Sequence, residues 1–273
     1  MESMAIVARW LLYLGALVAI GDPCAQWVRG DGWSTRWNPR MDARARARPM
    51  GAWLAVMCAL VLMFVAQFLA LELSPTSADV AMLLRQTAWG NGWLMLAGTA
   101  MLGTIAVAAR AGLMIRLAIV IAFAIAMSGI GHAAADEAAP RLSRALDAVH
   151  VLGIGVWLGT LSYLGEDVTS SWWVRFSRMA VVAAPLTVIT GVGSALRRFG
   201  AATLPQILSS EYGAYLAAKV ALVVVILLIG AWHRRVVRLR GAPTKMSVRI
   251  ELLLALVVLC VTAVLTGTAP PGE

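Results

Sequence analysis

The sequence predicts an all-α polytopic bundle of about eight transmembrane helices, a single integral-membrane domain over residues 1–273, and three observations carry that expectation. Hydrophobic residues make up 60% of the chain and charged residues 14%, a balance too apolar for a water-soluble domain of this length. Apolar runs long enough to cross a bilayer, roughly 20 residues each, recur along the chain and are separated by short charged or Gly/Pro-containing segments. Basic residues concentrate in alternate segments, as topology signals do.

The runs fall at about 4–21, 50–71, 93–109, 113–129, 145–164, 177–196, 212–233 and 248–267. The first has only Arg9 as an early basic residue and no A-x-A site after it, so it reads as a retained helix rather than a cleaved leader. The segments after the first, third, fifth and seventh spans, with Arg116 just inside the fourth, hold 16 of the Lys and Arg residues; the opposite face holds 6 and Lys219 lies within a span. The first set is expected on the cytoplasmic side, which puts both termini on the opposite, periplasm-like face. Between the second and third spans, Pro75 to Gly92 is too polar to cross, and Val80, Leu83, Leu84 and Trp89 suit the outer membrane surface. Gly153, Gly155 and Gly159 in the fifth span and Gly191 and Gly193 in the sixth are expected to let helix backbones approach closely.

Several functions are excluded. The net charge of +9 sits in the loops of Arg29 to Arg48 and Arg234 to Arg249, where it serves topology and lipid headgroups, and no basic soluble module exists to bind nucleic acid. Cys24, Cys58 and Cys260 are far apart and form neither a disulfide framework nor a zinc motif. The chain has no P-loop, no GxSxG, no HExxH and no soluble nucleotide domain, so neither hydrolysis nor ATP-driven pumping is expected; the protein reads as a non-enzyme.

Chemistry then rests on few side chains. The histidines are His132, His150 and His233, and a coordinating group inside a membrane is costly enough to point to function. His132 ends the fourth span and His150 begins the fifth, at one outer depth; His233 closes the seventh at the inner face. Asp147, His150 and Trp157, spaced by three and seven residues, share a helical face. Asp147 could fix the imidazole by accepting its second N–H, as behind metal-bound histidine, or simply pair with an interfacial histidine. Met127 stands near His132, and Met95 opens the third span at that depth; imidazole with thioether suits Cu(I) better than Mg²⁺ or Ca²⁺, although each methionine also serves as packing. Lys219 can snorkel outward. Glu251 shares its depth with His233, and either that pair handles an ion or proton or Glu251 pairs with Arg234 or Arg235.

These segments resemble the copper resistance protein D (CopD) family of bacterial inner-membrane proteins. The resemblance is carried by SGIGHA at 128–133 and DAVHVLGIGVWLGTLSYL at 147–164, with a Gly-His pair followed by His, six residues, Trp, one residue and Gly. TAWGNGW at 87–93, Thr190-Gly191, EYGAYLAAK ending at Lys219, Glu251, and Pro270-Pro271 extend it from about residue 75 to the end. It implies a protein associated with passage of copper from periplasm to cytoplasm, often beside a periplasmic copper-binding partner. His132, His150 and Trp157 match the family's motif residues. WHRR at 232–235 departs from the pattern, with His233 where an asparagine is expected, so an inner copper site is less safely inherited. The expected function is therefore copper transport or delivery through a His/Met-lined site formed by His132, His150, Met127, Met95 and His233, with Asp147, Trp157, Glu251 and Lys219 behind or along the path. Two alternatives stand beside it. One is a b-type haem electron-transfer protein using His132 and His150, and the other a non-transporting membrane partner of a periplasmic copper protein. Three histidines are too few for two bis-histidine haems.

Overall fold

The computed structural model describes residues 2–30, 39–73, 76–130, 139–164, 170–200 and 202–270, and the side chains of the second helix from residue 47 onward. The described residues form helices α1 (Glu2–Arg29), α2 (Pro39–Ala70), α3 (Ser77–Gln86), α4 (Ala88–Ala108), α5 (Leu113–Met127), α6 (Pro140–Tyr163), α7 (Ser170–Phe199), α8 (Leu204–Ser209), α9 (Glu211–Arg240) and α10 (Lys245–Leu265). Seven of these are long and apolar enough to span a bilayer. The eighth expected span is α5, whose 15 residues rise about 22 Å. It still traverses the bundle, because Arg116 near its start pairs with Asp22 late in α1 while Met127 at its end faces the start of α6.

Local chemistry sets the helix boundaries. Thr76, Thr87, Ser210 and Thr244 each accept a backbone N–H in the first turn of α3, α4, α9 and α10, satisfying a donor that has no intrahelical partner. α9 stops at Gly241, whose φ of +85° is a left-handed conformation that favours glycine. The polar segment before α4 forms the short α3; Leu83, expected at the membrane surface, is instead buried against α4, and Trp89, which falls within α4, lines the cavity described below.

α1 is the central helix. Leu12, Ala16, Ala19 and Ile20 pack with Trp53, Val56 and Leu60 of α2 and Phe123 of α5; Leu17 and Val28 pack with α6, α7 and α10. Trp53 meets Phe123 edge-on at 5.1 Å and lies over Gly103 of α4, where any side chain would overlap its ring. Outward-facing Leu54, Val61, Leu102, Ile105, Leu228 and Leu253 are exposed, which is costly in water and unremarkable against acyl chains.

α1 meets α6 backbone to backbone. A Cβ on Gly21 would overlap the backbone of Gly159, and one on Gly159 would overlap the Leu17 carbonyl. Here Gly155–Gly159 forms a π turn inside α6, a local widening that lets main chain meet main chain. Gly153 likewise lies against Thr187 of α7. The small residues of the fifth span thus serve packing, as their spacing suggested.

Candidate functional site

One end of the bundle gathers the starts of α1, α4, α6 and α9 and the ends of α2, α5, α7 and α10 around a cavity of about 540 Å³. Its walls are mostly apolar, from Leu12, Ala16, Met63, Leu96, Ile154 and Val258, and into them are set Arg9, Met127, Asp147, His150, Arg198 and Lys219.

Among the described residues, His150 is the imidazole that lines this cavity. It lies one turn into the apolar part of α6, and its ring rests on α7 at Gly191, where a Cβ would stand 2.8 Å from Cε1 and 3.2 Å from Nδ1. The bare backbone lets Nδ1 come to 2.9 Å from the carbonyl oxygen of Thr187. A carbonyl only accepts, so Nδ1 carries the proton and donates, and Nε2 is left with its lone pair. That is the tautomer control found behind metal-binding imidazole, here supplied by a backbone oxygen. The threonine hydroxyls do not compete strongly for the ring. Thr187 Oγ1 donates to Ala183 O at 2.8 Å and Thr190 Oγ1 to Leu186 O at 2.7 Å.

Asp147 is not what fixes the ring, contrary to the expectation from its spacing. Its Oδ1 accepts from Ser194 Oγ at 2.8 Å and its Oδ2 lies 3.6 Å from Arg198, so the carboxylate ties α6 to the end of α7. Trp157 also departs from the shared face. It is buried in the core with Leu158, Leu161 and Trp173 and does not wall the cavity, because the π turn that contains it breaks the 3.6-residue register set by Asp147 and His150. Met127 does wall the cavity, next to Ser128 and near Ile130. Met95 does not: it is 60% exposed on the outer side of α4, because Leu96 and Ala100 take the inward positions. His132 lies outside the described residues.

Lys219, which could have snorkelled to the surface, turns into the cavity from α9. Arg9 and Tyr13 also line the cavity: Arg9 Nη1 donates to the Ala263 carbonyl at 3.0 Å in the last turns of α10, and Tyr13 Oη donates to Thr266 Oγ1 at 3.1 Å.

His233 and Glu251 sit at the opposite end, about 21 Å along α9 from Lys219. They meet, as shared depth suggested: His233 Nδ1 is 2.8 Å from Glu251 Oε2, and Nε2 is 2.8 Å from Ser247 Oγ. Arg234 and Arg235 are exposed, so Glu251 takes the histidine as its partner. Both ring nitrogens are engaged by the protein, which makes this pair a clamp between α9 and α10 and leaves no lone pair presented to an ion.

Sequence reasoning missed Asp22. A span ending at residue 21 placed it just outside the membrane, yet α1 continues to Arg29 and buries it to 3% exposure. It forms an ion pair with Arg116 and accepts from Gln26 Nε2 at 3.2 and 3.3 Å. A carboxylate within a 28-residue helix, with an arginine stranded in the start of α5, was the available signal.

Among the described residues no group of three or more His, Cys, Asp or Glu side chains could hold a metal ion. The soft donors that line the cavity are instead, among the described residues, one imidazole, His150, and two thioethers, Met63 and Met127. Compared with known proteins, residues 172–265 match the family model of copper resistance protein D. The match covers about a third of the chain, from the start of α7 to the end of α10, and includes Thr187, Gly191, Lys219, His233 and Glu251. No curated protein and no solved structure matches.

Proposed function

We propose, for a chain whose residues 172–265 carry the copper resistance protein D pattern, that it moves or delivers copper from the periplasmic side of a bacterial inner membrane toward the cytoplasm. The observation that carries this reading is the imidazole of His150, held at Nδ1 by the Thr187 carbonyl, in a cavity that also presents Met127. Nε2 and the thioether are soft donors suited to Cu(I), and His132, expected from its motif, is the third. The excess of basic residues in the segments at the other end supports a periplasmic mouth for this cavity, and a periplasmic copper-binding protein is the natural donor. His233 and Glu251 then act as an interhelical clamp rather than as an exit site.

The test is copper content and copper accumulation. Purified wild-type protein should hold Cu(I), and His150→Ala and His132→Ala, which remove the donors themselves, should each weaken its binding by more than the about 10- to 100-fold typical of losing an orienting partner, and lower accumulation in cells. Unchanged binding in both variants would end the ligand assignment.

A second reading is favoured by the size of the cavity and by its basic wall. A single b-type haem could take His150 as axial ligand and set its acid side chains toward Arg198 and Lys219. Purified protein with a Soret band that is lost in His150→Ala would select it over copper.

A further inference from the structure

The cavity holds more positive charge than its own carboxylate balances. Four charged groups wall it: Arg9, Asp147, Arg198 and Lys219. Asp147 and Arg198 face each other at 3.6 Å, with Ser194 as the second partner of the carboxylate. Arg9 is met by the Ala263 carbonyl near the end of α10, the negative pole of that helix. Lys219 has no hydrogen bond or ion pair among the described residues, although it is set two turns inside an apolar helix. Such an ammonium is costly where water is scarce and is stabilised by an anion beside it. The cavity is otherwise lined by alkyl and aromatic side chains, including Leu12, Met63, Trp89, Leu96, Leu216 and Leu259.

We infer that this cavity binds an amphiphile that combines an acid group with an apolar body, the acid group received by Lys219 and Arg198 and the apolar body by the wall formed by α1, α2 and α4. The acid-bearing headgroup of a membrane phospholipid has this chemistry, and so do the carboxylates of a porphyrin. The geometry assigns Lys219 a specific part. It enters from α9 into the cavity that the Asp147–Arg198 pair also lines, so an incoming oxyanion meets two cations carried by different helices. The inference uses the same cavity as the copper reading but does not depend on copper: it is read from Lys219 and an anionic ligand, whereas the copper reading is read from His150 and metal content.

The experiment uses the full chain in nanodiscs containing trace photoreactive phosphatidylglycerol or photoreactive phosphatidylcholine, with peptides mapped after irradiation. The acidic probe is expected to label the cavity-lining parts of α4 and α9 preferentially. Lys219→Gln should weaken that labelling, since a charge-assisted contact contributes about 10- to 100-fold in affinity, and Lys219→Arg should restore it. In the second arm, haemin added to detergent-purified protein reports the porphyrin source; a Lys219-dependent Soret band without preferential lipid labelling assigns the acid group to a porphyrin. Equal labelling by the two lipids with no Lys219-dependent haemin binding would overturn the inference. Asp136 and Glu137 lie outside the described residues, and wild-type labelling at background that rises in Asp136→Asn/Glu137→Gln would also overturn the inference, because the chain's own acids would then be the counter-charge. Circular dichroism and thermal unfolding of Lys219→Gln separate loss of the ligand from loss of the fold.

Discussion

Gly191 offers the sharpest test of how the imidazole is held. In Gly191→Ala the new methyl would stand 2.8 Å from Cε1 and 3.2 Å from Nδ1 of His150, closer than carbon atoms tolerate. The atoms in the way belong to a side-chain ring rather than to backbone, so the ring must swing off α7 while the helices keep their places. It cannot do so and keep the 2.9 Å hydrogen bond to the Thr187 carbonyl. Loss of that bond removes about 0.5–1.5 kcal/mol of stability, and residual crowding adds about 1–3 kcal/mol. Affinity should suffer more than stability, because losing the group that orients a metal-bound histidine typically costs about 10- to 100-fold. The assay is anaerobic Cu(I) titration against a chromophoric chelator, with His150→Ala as the lower limit and thermal unfolding in the same detergent as the fold control. A Gly191→Ala protein that binds copper like wild type would refute both the orientation argument and the assignment of Nε2 as donor.

Met127→Ala should lower Cu(I) affinity while Met95→Ala leaves it unchanged, since only Met127 reaches the cavity; chelator competition distinguishes the two. Removing one partner of the buried pair, as in Asp22→Asn, should destabilise the protein by about 3–5 kcal/mol, and the double variant with Arg116→Gln by less, as measured by thermal unfolding. Glu251→Gln should lower the unfolding temperature and leave copper content intact; a fall in copper equal to that in His150→Ala would show that the far-end pair is a site after all. Gly159→Val should prevent assembly or sharply lower thermal stability because its side chain would strike the Leu17 carbonyl, whereas Gly98→Ala, facing open space, should be neutral.

The bundle and the depths of its polar residues were legible because lipid enforces a simple code of apolar length and flanking charge. His150 at one end and His233 beside Glu251 at the other follow from counting residues along helices. What failed was fine register. A wider turn in α6 is invisible to a 3.6-residue pattern, so Trp157 was placed with His150 although it belongs to the core. Met95 and Met127 looked equivalent by depth, and only the rotation of α4 about its axis separates them. The anchor of the imidazole was illegible in principle: a backbone carbonyl carries no residue signature, and the glycine that exposes it reads as ordinary helix packing. Asp22 was lost because the expected span stopped at residue 21, eight residues short of the end of α1 at Arg29.

The meeting of α1 and α6 at Gly21 and Gly159 lies one turn beyond Leu17 and immediately after Leu158, both of which line the cavity. With no side chain between the two backbones, this seam has no rotamer that can flip aside to make an opening. Any cargo leaving the cavity along it must wait for whole helices to part, a collective motion on the microsecond-to-millisecond scale rather than the nanosecond swing of a residue. For the copper passage proposed above, such a seam predicts slow, gated turnover rather than channel-like flux.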